Sequence, residues 1–387
     1  LKRLKIMSVA IYLDYNATTP VDSRVVEKML PYFTEHFGNP SSQGHMYGWA
    51  ASAAVEQARI EVAKCIQATR PSEITFTSGA TEGINAALKG LAEACTHQGH
   101  HIVTVQSEHS AVARACQHLE RLGWRVTYLP VDSEGIVDID RLGDSLTDDT
   151  VLVSVMWANN ETGVIQPIPE IAEIVRARGI PFMTDATQAV GKIPVSAEHA
   201  DILVCSGHKV YGPKGVGAMF VRGRVRCTPL IDGGGQERGR RSGTHNVPGI
   251  VGMGEAFRLA RLECERDGKR LTALRDELEN ALRQSGMEVQ VNSAGANRLP
   301  QTSSISFPHL EVERLLMSIR GLAVGTGSAC GSGSRAPSKV LSAMGVPADI
   351  ARRTLRISLG RHTTKQDVAR ASEILIKAMR ELSAKAA

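Results

Sequence analysis

Seven cysteines are spread over 387 residues, an odd number with no pair at C-x-x-C spacing. A disulfide framework and a cysteine-based zinc site are therefore not expected, and a reducing cytoplasm is the natural compartment. The twelve histidines include no H-E-x-x-H pair, so a catalytic metal is not expected either. No apolar stretch reaches about 18 residues, which argues against a membrane span. The formal charge is only +5, and Lys2, Arg3 and Lys5 supply three of those charges ahead of Met7. No basic footprint for nucleic acid remains. That short leader lacks the apolar core of a secretory signal and is too short for a transit peptide. No G-x-G-x-x-G follows a strand with an acid about 20 residues on, which disfavours a dinucleotide-binding unit. Internal repeats and low-complexity tracts are missing as well.

The chain exceeds the roughly 250 to 300 residues at which one core stops growing, so two domains are expected. Its 42% hydrophobic and 22% charged content is ordinary for a globular protein. Strand patterns at residues 74–77, 101–106, 125–131, 151–156, 181–184, 202–205 and 217–221 alternate with helical stretches. That alternation predicts an α/β fold, a mostly parallel seven-stranded sheet with helices on both faces. Residues 247–284 read as a long charged helix leaving this domain. Beyond it, strands at 288–291, 303–307, 323–326 and 354–359, with helices at 312–319, 337–344 and 365–384, predict a smaller α/β domain.

Chemistry enters with Lys209, which follows the buried strand pattern in Ser206-Gly207-His208-Lys209. A primary amine at a strand end is placed to condense with an aldehyde cofactor. The preceding strand pattern ends at Asp185, and adjacent parallel strands delivering a carboxylate and a lysine suit pyridoxal 5'-phosphate. The carboxylate keeps the pyridine nitrogen protonated while the lysine holds the aldehyde carbon. Taken singly, Lys209 reads equally as a loop lysine and Asp185 as a helix N-cap. In Thr77-Ser78-Gly79-Ala80-Thr81-Glu82-Gly83, a strand, a small-residue turn and a helix start form a pattern whose backbone N–H groups favour a phosphate. His109 ends another strand, where it either lies over a planar cofactor or caps the next helix. Arg356 sits in the strand pattern Leu355-Arg356-Ile357-Ser358, as a carboxylate anchor or a surface arginine.

Seven segments then occur in order: Tyr12-Leu13-Asp14-Tyr15-Asn16-Ala17-Thr18-Thr19-Pro20, Phe37-Gly38-Asn39-Pro40-Ser41-Ser42, Thr77-Ser78-Gly79-Ala80-Thr81-Glu82, Asn159-Asn160-Glu161-Thr162-Gly163, Asp185-Ala186-Thr187-Gln188, Ser206-Gly207-His208-Lys209 and Arg241-Ser242-Gly243-Thr244. As a set they closely resemble the cysteine desulfurases of the NifS/IscS type, in the class V aminotransferase superfamily. The resemblance spans residues 11–364. It implies a fold-type I pyridoxal phosphate enzyme acting as a homodimer, with a large domain at 18–260 and a small domain formed by 1–17 and 261–387.

The segment Gly325-Thr326-Gly327-Ser328-Ala329-Cys330-Gly331-Ser332-Gly333-Ser334 marks a desulfurase rather than a transaminating relative. Glycine and serine supply a flexible tether for a travelling nucleophile, which must be a thiolate to react. The resemblance makes Cys330 the persulfide-forming residue of the longer-loop subgroup, with Gly325-Thr326 and Gly331 as small departures from its pattern. It further implies Ala80, Thr81, Ser206 and His208 at the phosphate, His109 over the ring, and Gln188 with Asn160 at the ring hydroxyl. Thr244 would reach the phosphate across the dimer, and Arg356, assisted by Asn39 and Asn160, would hold the substrate carboxylate. Met183 stands where relatives often carry a histidine.

The activity implied is removal of sulfur from L-cysteine, giving L-alanine and a persulfide on Cys330, with Lys209 moving the Cα proton. The sulfur would pass to an acceptor such as an iron–sulfur scaffold. Docking through a C-terminal extension is not expected, because the chain ends at Ala387 soon after its last helical pattern. Rival readings are a selenocysteine lyase or transaminase on the same scaffold, a nucleotide-binding module, and a non-catalytic interaction protein. A yellow cofactor band separates the last two from the first.

Overall fold

The computed structural model describes residues 10–326 and 337–384. Its centre is a sheet of β1 (Ile74–Thr77), β2 (His101–Val105), β3 (Arg125–Leu129), β4 (Thr150–Ser154), β5 (Phe182–Asp185), β6 (Ile202–Ser206) and β7 (Gly217–Val221). The spatial order is β1-β7-β6-β5-β4-β2-β3, parallel throughout except for β7, which runs against both of its neighbours. Every residue of β1, β2, β4, β5, β6 and β7 is buried, as expected where helices cover both faces. One face packs on helix Met46–Cys65 and the first half of helix Val247–Arg283, through Val55, Val62, Leu203 and Phe257. The opposite face packs on helices Ala80–Ala94 and Ser110–Arg121, through Leu88, Val112, Ile102 and Val204.

A second core is built on an antiparallel sheet of β8 (Gln290–Val291), β9 (Thr302–Ser306), β10 (Gly325–Thr326) and β11 (Thr354–Ser358), ordered β10-β11-β9-β8. Helices Val312–Ser318 and Lys365–Ala384 cover it, with Leu274, Leu278 and Leu282 from the far half of helix Val247–Arg283. That helix is continuous across both cores, so a division at residue 260 falls inside it. The amino-terminal strand Ile11–Tyr12 joins this side by pairing in parallel with Leu322–Ala323.

One sequence expectation is corrected. Residues 323–326 are not a single strand: Leu322–Ala323 pairs with Ile11–Tyr12, while Gly325–Thr326 pairs with β11. The break brings Gly325 against the site, where an added Cβ would lie 2.8 Å from Asp14 Oδ1 and 2.9 Å from Arg356 Nη2. A larger residue there would require the Asp14 and Arg356 side chains to shift.

Candidate active site

Parallel strands β5 and β6 are direct neighbours, with Asp185 opposite Val204, and both end at one cavity of about 480 Å³. Asp185 closes β5, and its Oδ1 accepts the Thr187 N–H at 2.9 Å. Beyond β6 a short 3₁₀ turn, Gly207–Lys209, projects Lys209 into the same cavity. Its Nζ donates to the carbonyls of Asn16 at 2.7 Å and Ala17 at 2.6 Å. These two neutral acceptors solvate the amine without adding an opposing charge.

Helix Ala80–Ala94 points its amino terminus at the cavity, which Ser78, Gly79, Ala80, Thr81 and Ser206 line. Among the described residues no side chain caps this helix start, so its first-turn N–H groups offer an anion cradle. Gly79 adopts φ 157°, and Gly217 of β7 lies so close beneath it that an added Cβ would stand 2.6 Å from Gly79 Cα. Two glycines thus let strand and cradle touch.

His208 lines the cavity and pairs through Nδ1 with Thr18 Oγ1 at 3.1 Å. Burial, helped by the charges of Lys209, Lys214 and Lys192, pushes its pKa down to about 4. It is neutral at physiological pH. His109 both caps helix Ser110–Arg121 and lines the cavity, its Nδ1 accepting the Ala111 N–H at 3.2 Å. The two readings of that residue are compatible, because the cap uses only one ring nitrogen.

Arg356, on β11, is buried, and its Nη2 donates to Asp14 Oδ1 at 2.7 Å and its Nη1 to the Asn160 carbonyl at 3.1 Å. Its Nε is buried and has no partner among the described residues. A guanidinium with an N–H to spare in a cavity suits a carboxylate. Gln188 and Asn160 also line the cavity. Asn39 and Thr244 do not: both are exposed, and Asn39 Oδ1 instead accepts the Ser41 N–H. Cys330 lies outside the described residues.

The family model for Aminotransferase class-V matches residues 11–371. The chain belongs to the class-V aminotransferase family. Within this family it stands with the cysteine desulfurases of the NifS/IscS type. The cysteine desulfurase IscS of Neisseria meningitidis serogroup C / serotype 2a is 50% identical over 380 residues, covering 96% of this chain and 94% of the relative. That of Anaeromyxobacter sp. is 49% identical over 381 residues, covering 97% and 94%. Among solved structures, a NifS-like protein superposes with a TM-score of 0.89 at 41% identity, over 97% of this chain and all of the other. A structure of SspA in complex with cysteine gives a TM-score of 0.81 at 37% identity, over 91% and 99%.

The cofactor of this class-V family member is pyridoxal 5'-phosphate, and the residues present fit it. The uncapped helix start suits its phosphate, Lys209 its aldehyde and Asp185 its ring nitrogen. Thr187 Oγ1, buried beside them, has no partner among the described residues. Sequence reasoning missed the parts played by Asn16, Ala17 and Asp14. Asn16 and Ala17 act through main-chain carbonyls that any residue carries, and their segment was noted only as a motif. Asp14 carried a readable signal, an acid in the same segment, but its pairing with Arg356 spans 342 positions.

Proposed function

We propose that this chain is a pyridoxal phosphate-dependent cysteine desulfurase that takes sulfur from L-cysteine, releases L-alanine, and leaves a persulfide on Cys330. The observation that carries the reading is the convergence of Lys209, Asp185 and Arg356 on one cavity beside an uncapped helix start. Pyridoxal phosphate, when bound, supplies an aldehyde and an electron-accepting ring. Ala80 and Thr81 N–H groups with Ser206 hold its phosphate, and His208, neutral, donates to it through a ring N–H. Asp185 holds a proton at the ring nitrogen. Arg356 orients the substrate by its carboxylate, assisted by Asn160, and Lys209 removes and returns the proton at Cα. His109 is placed to move protons over the ring. The Cys330 thiolate attacks the substrate sulfur; the carbon–sulfur bond breaks with its electron pair left on carbon, which a proton then quenches.

The same reading includes a homodimer, with Thr244 of a second copy completing the phosphate site. The exposed apolar side chains of Leu30, Phe33, Phe37, Met46, Tyr47 and Trp49, all within residues 30–49, support it. The persulfide passes to a sulfur acceptor such as an iron–sulfur scaffold protein, in the cytoplasm. The six described cysteines are all free thiols, and no helix among the described residues is long and apolar enough to cross a membrane.

The test measures alanine and sulfide release from L-cysteine with a reductant, in wild type, Cys330→Ala and Lys209→Ala, with visible spectra recorded on the same samples. Equal molar products that vanish in Cys330→Ala while its yellow band persists are expected, along with loss of turnover in Lys209→Ala. Undiminished turnover in Cys330→Ala overturns the persulfide route. A wild type that stays colourless with added pyridoxal phosphate overturns the cofactor assignment.

A further inference from the structure

Lys192 lies outside every motif used so far, yet its Nζ donates to Gln188 Oε1 at 2.6 Å. On the other side of the same amide, Gln188 Nε2 donates to the Asn16 carbonyl at 3.0 Å, the carbonyl that also receives Lys209. A main-chain carbonyl only accepts, and a lysine nitrogen donates, so both neighbours demand one orientation of the amide. Gln188 is buried and lines the cavity, and its Oε1 is committed to Lys192. Its Nε2 has one hydrogen beyond the one given to Asn16. What Gln188 offers a bound ligand is therefore a donor.

We infer that Lys192 is a positioning residue: by fastening Gln188 Oε1 it fixes the amide as a hydrogen-bond donor, which selects a cofactor presenting an anionic ring oxygen. This rests on the pyridoxal phosphate reading and on Gln188 facing the ring hydroxyl. Burial drives the Lys192 ammonium well below the ordinary lysine range, and the nearby charges of Lys209 and Arg356 act in the same direction. A lysine kept there against that opposition has a use for its donors, and Gln188 is the acceptor it meets.

The test compares dissociation constants of pyridoxal phosphate and its 3-deoxy analogue for cofactor-stripped full-length protein, in wild type, Lys192→Met and the double variant Gln188→Ala/Lys192→Met beside Gln188→Ala. In Lys192→Met the preference for pyridoxal phosphate over the deoxy analogue should fall about tenfold, the weight of one hydrogen bond to a charged group, while affinity for the analogue changes less than about threefold. In the Gln188→Ala background the same substitution should leave the preference unchanged. Equal weakening of both ligands, or an unchanged preference, overturns the inference and leaves Lys192 a structural residue. Should Lys192→Met fail to fold, Lys192→Leu, which also lacks a donor, carries the same comparison and the same ratio decides. Failure of wild type to bind pyridoxal phosphate overturns the cofactor reading instead, so the two outcomes are distinct.

Discussion

Arg59→Met should destabilise this protein more than an ordinary core substitution. Arg59 and Glu237 are buried to 2% side-chain exposure each and meet through two hydrogen bonds, at 2.7 and 3.0 Å. Glu237 also accepts from the Phe76 N–H at 2.9 Å and from His245 Nε2 at 2.6 Å. Arg59 donates to the Ile74 carbonyl at 2.8 Å and lies over the Phe76 ring, 4.8 Å from its centre. Burial alone would raise the Glu237 pKa, but hydrogen bonds from His245, Arg59 and Phe76 outweigh it and hold it at about 2, against an ordinary 4.5. Such a depression corresponds to roughly 3 kcal/mol of stability at neutral pH. Because the folded value lies below the unfolded one, that contribution is complete above pH 4.5 and disappears as pH falls through 2. Removing one partner of a buried pair costs about 3 to 5 kcal/mol on independent grounds, so both routes agree. The assay is urea unfolding at pH 7 of wild type, Arg59→Met, Glu237→Leu and the double variant, with the cofactor present and two probes coinciding. The double variant should recover much of the loss, since no charge is then left unpaired. A cost below about 1 kcal/mol for Arg59→Met, or strictly additive losses, refutes the reasoning. The consequence reaches the site: the pair holds Glu237 and Arg238 in left-handed conformations, φ 50° and 58°, in the loop whose Arg241 binds Glu82 of the phosphate-facing helix at 2.9 Å.

Arg356→Lys keeps the charge but loses the planar fork, and should raise KM for L-cysteine at least about tenfold with cofactor affinity unchanged; steady-state kinetics and cofactor titration decide. Gly217→Ala drives a methyl to within 2.6 Å of Gly79 Cα and 2.8 Å of the Cys205 carbonyl, so pyridoxal phosphate binding should weaken about tenfold or more, read by absorbance titration. Phe33→Glu with Trp49→Glu places two charges among the exposed apolar side chains of residues 30–49; sedimentation should show a monomer, and an unchanged dimer refutes their placement at the interface.

The large sheet was legible because all its strands but the edge strand β3 are buried from end to end and read as short, mainly apolar or β-branched runs. Asp185 and Lys209 were legible for the same reason, standing where two such runs stop. The split at residues 323–326 was not, because nothing local says that Ala323 pairs with Tyr12 and Thr326 with Leu355. Arg356 could be singled out by residue type and strand position, whereas its holders could not: Asp14 is 342 positions away and Asn160 contributes only a carbonyl. Lys192 stood four residues from a motif glutamine and looked like any turn lysine. Burial and an amide partner distinguish it, and both are properties of the folded chain.

Asn16 shows why the site needs both cores at once. It is 1% exposed, and its main-chain carbonyl receives Lys209 and Gln188 from the large sheet's side. Most of its remaining groups turn the other way: the N–H donates to Ser358 Oγ at 2.9 Å, Nδ2 donates to Thr302 Oγ1 at 2.8 Å as well as to the Asn160 carbonyl at 3.2 Å, and Oδ1 accepts from Gln301 Nε2 at 3.2 Å. Each of those hydrogen bonds is short-range and directional, so a shift of one core against the other cannot be absorbed without breaking several together. The carbonyl that holds Lys209 is therefore placed by Ser358, two residues along the same strand from Arg356. The residue proposed to hold the cofactor aldehyde and the residue proposed to hold the substrate carboxylate are thereby registered to one another through a single asparagine.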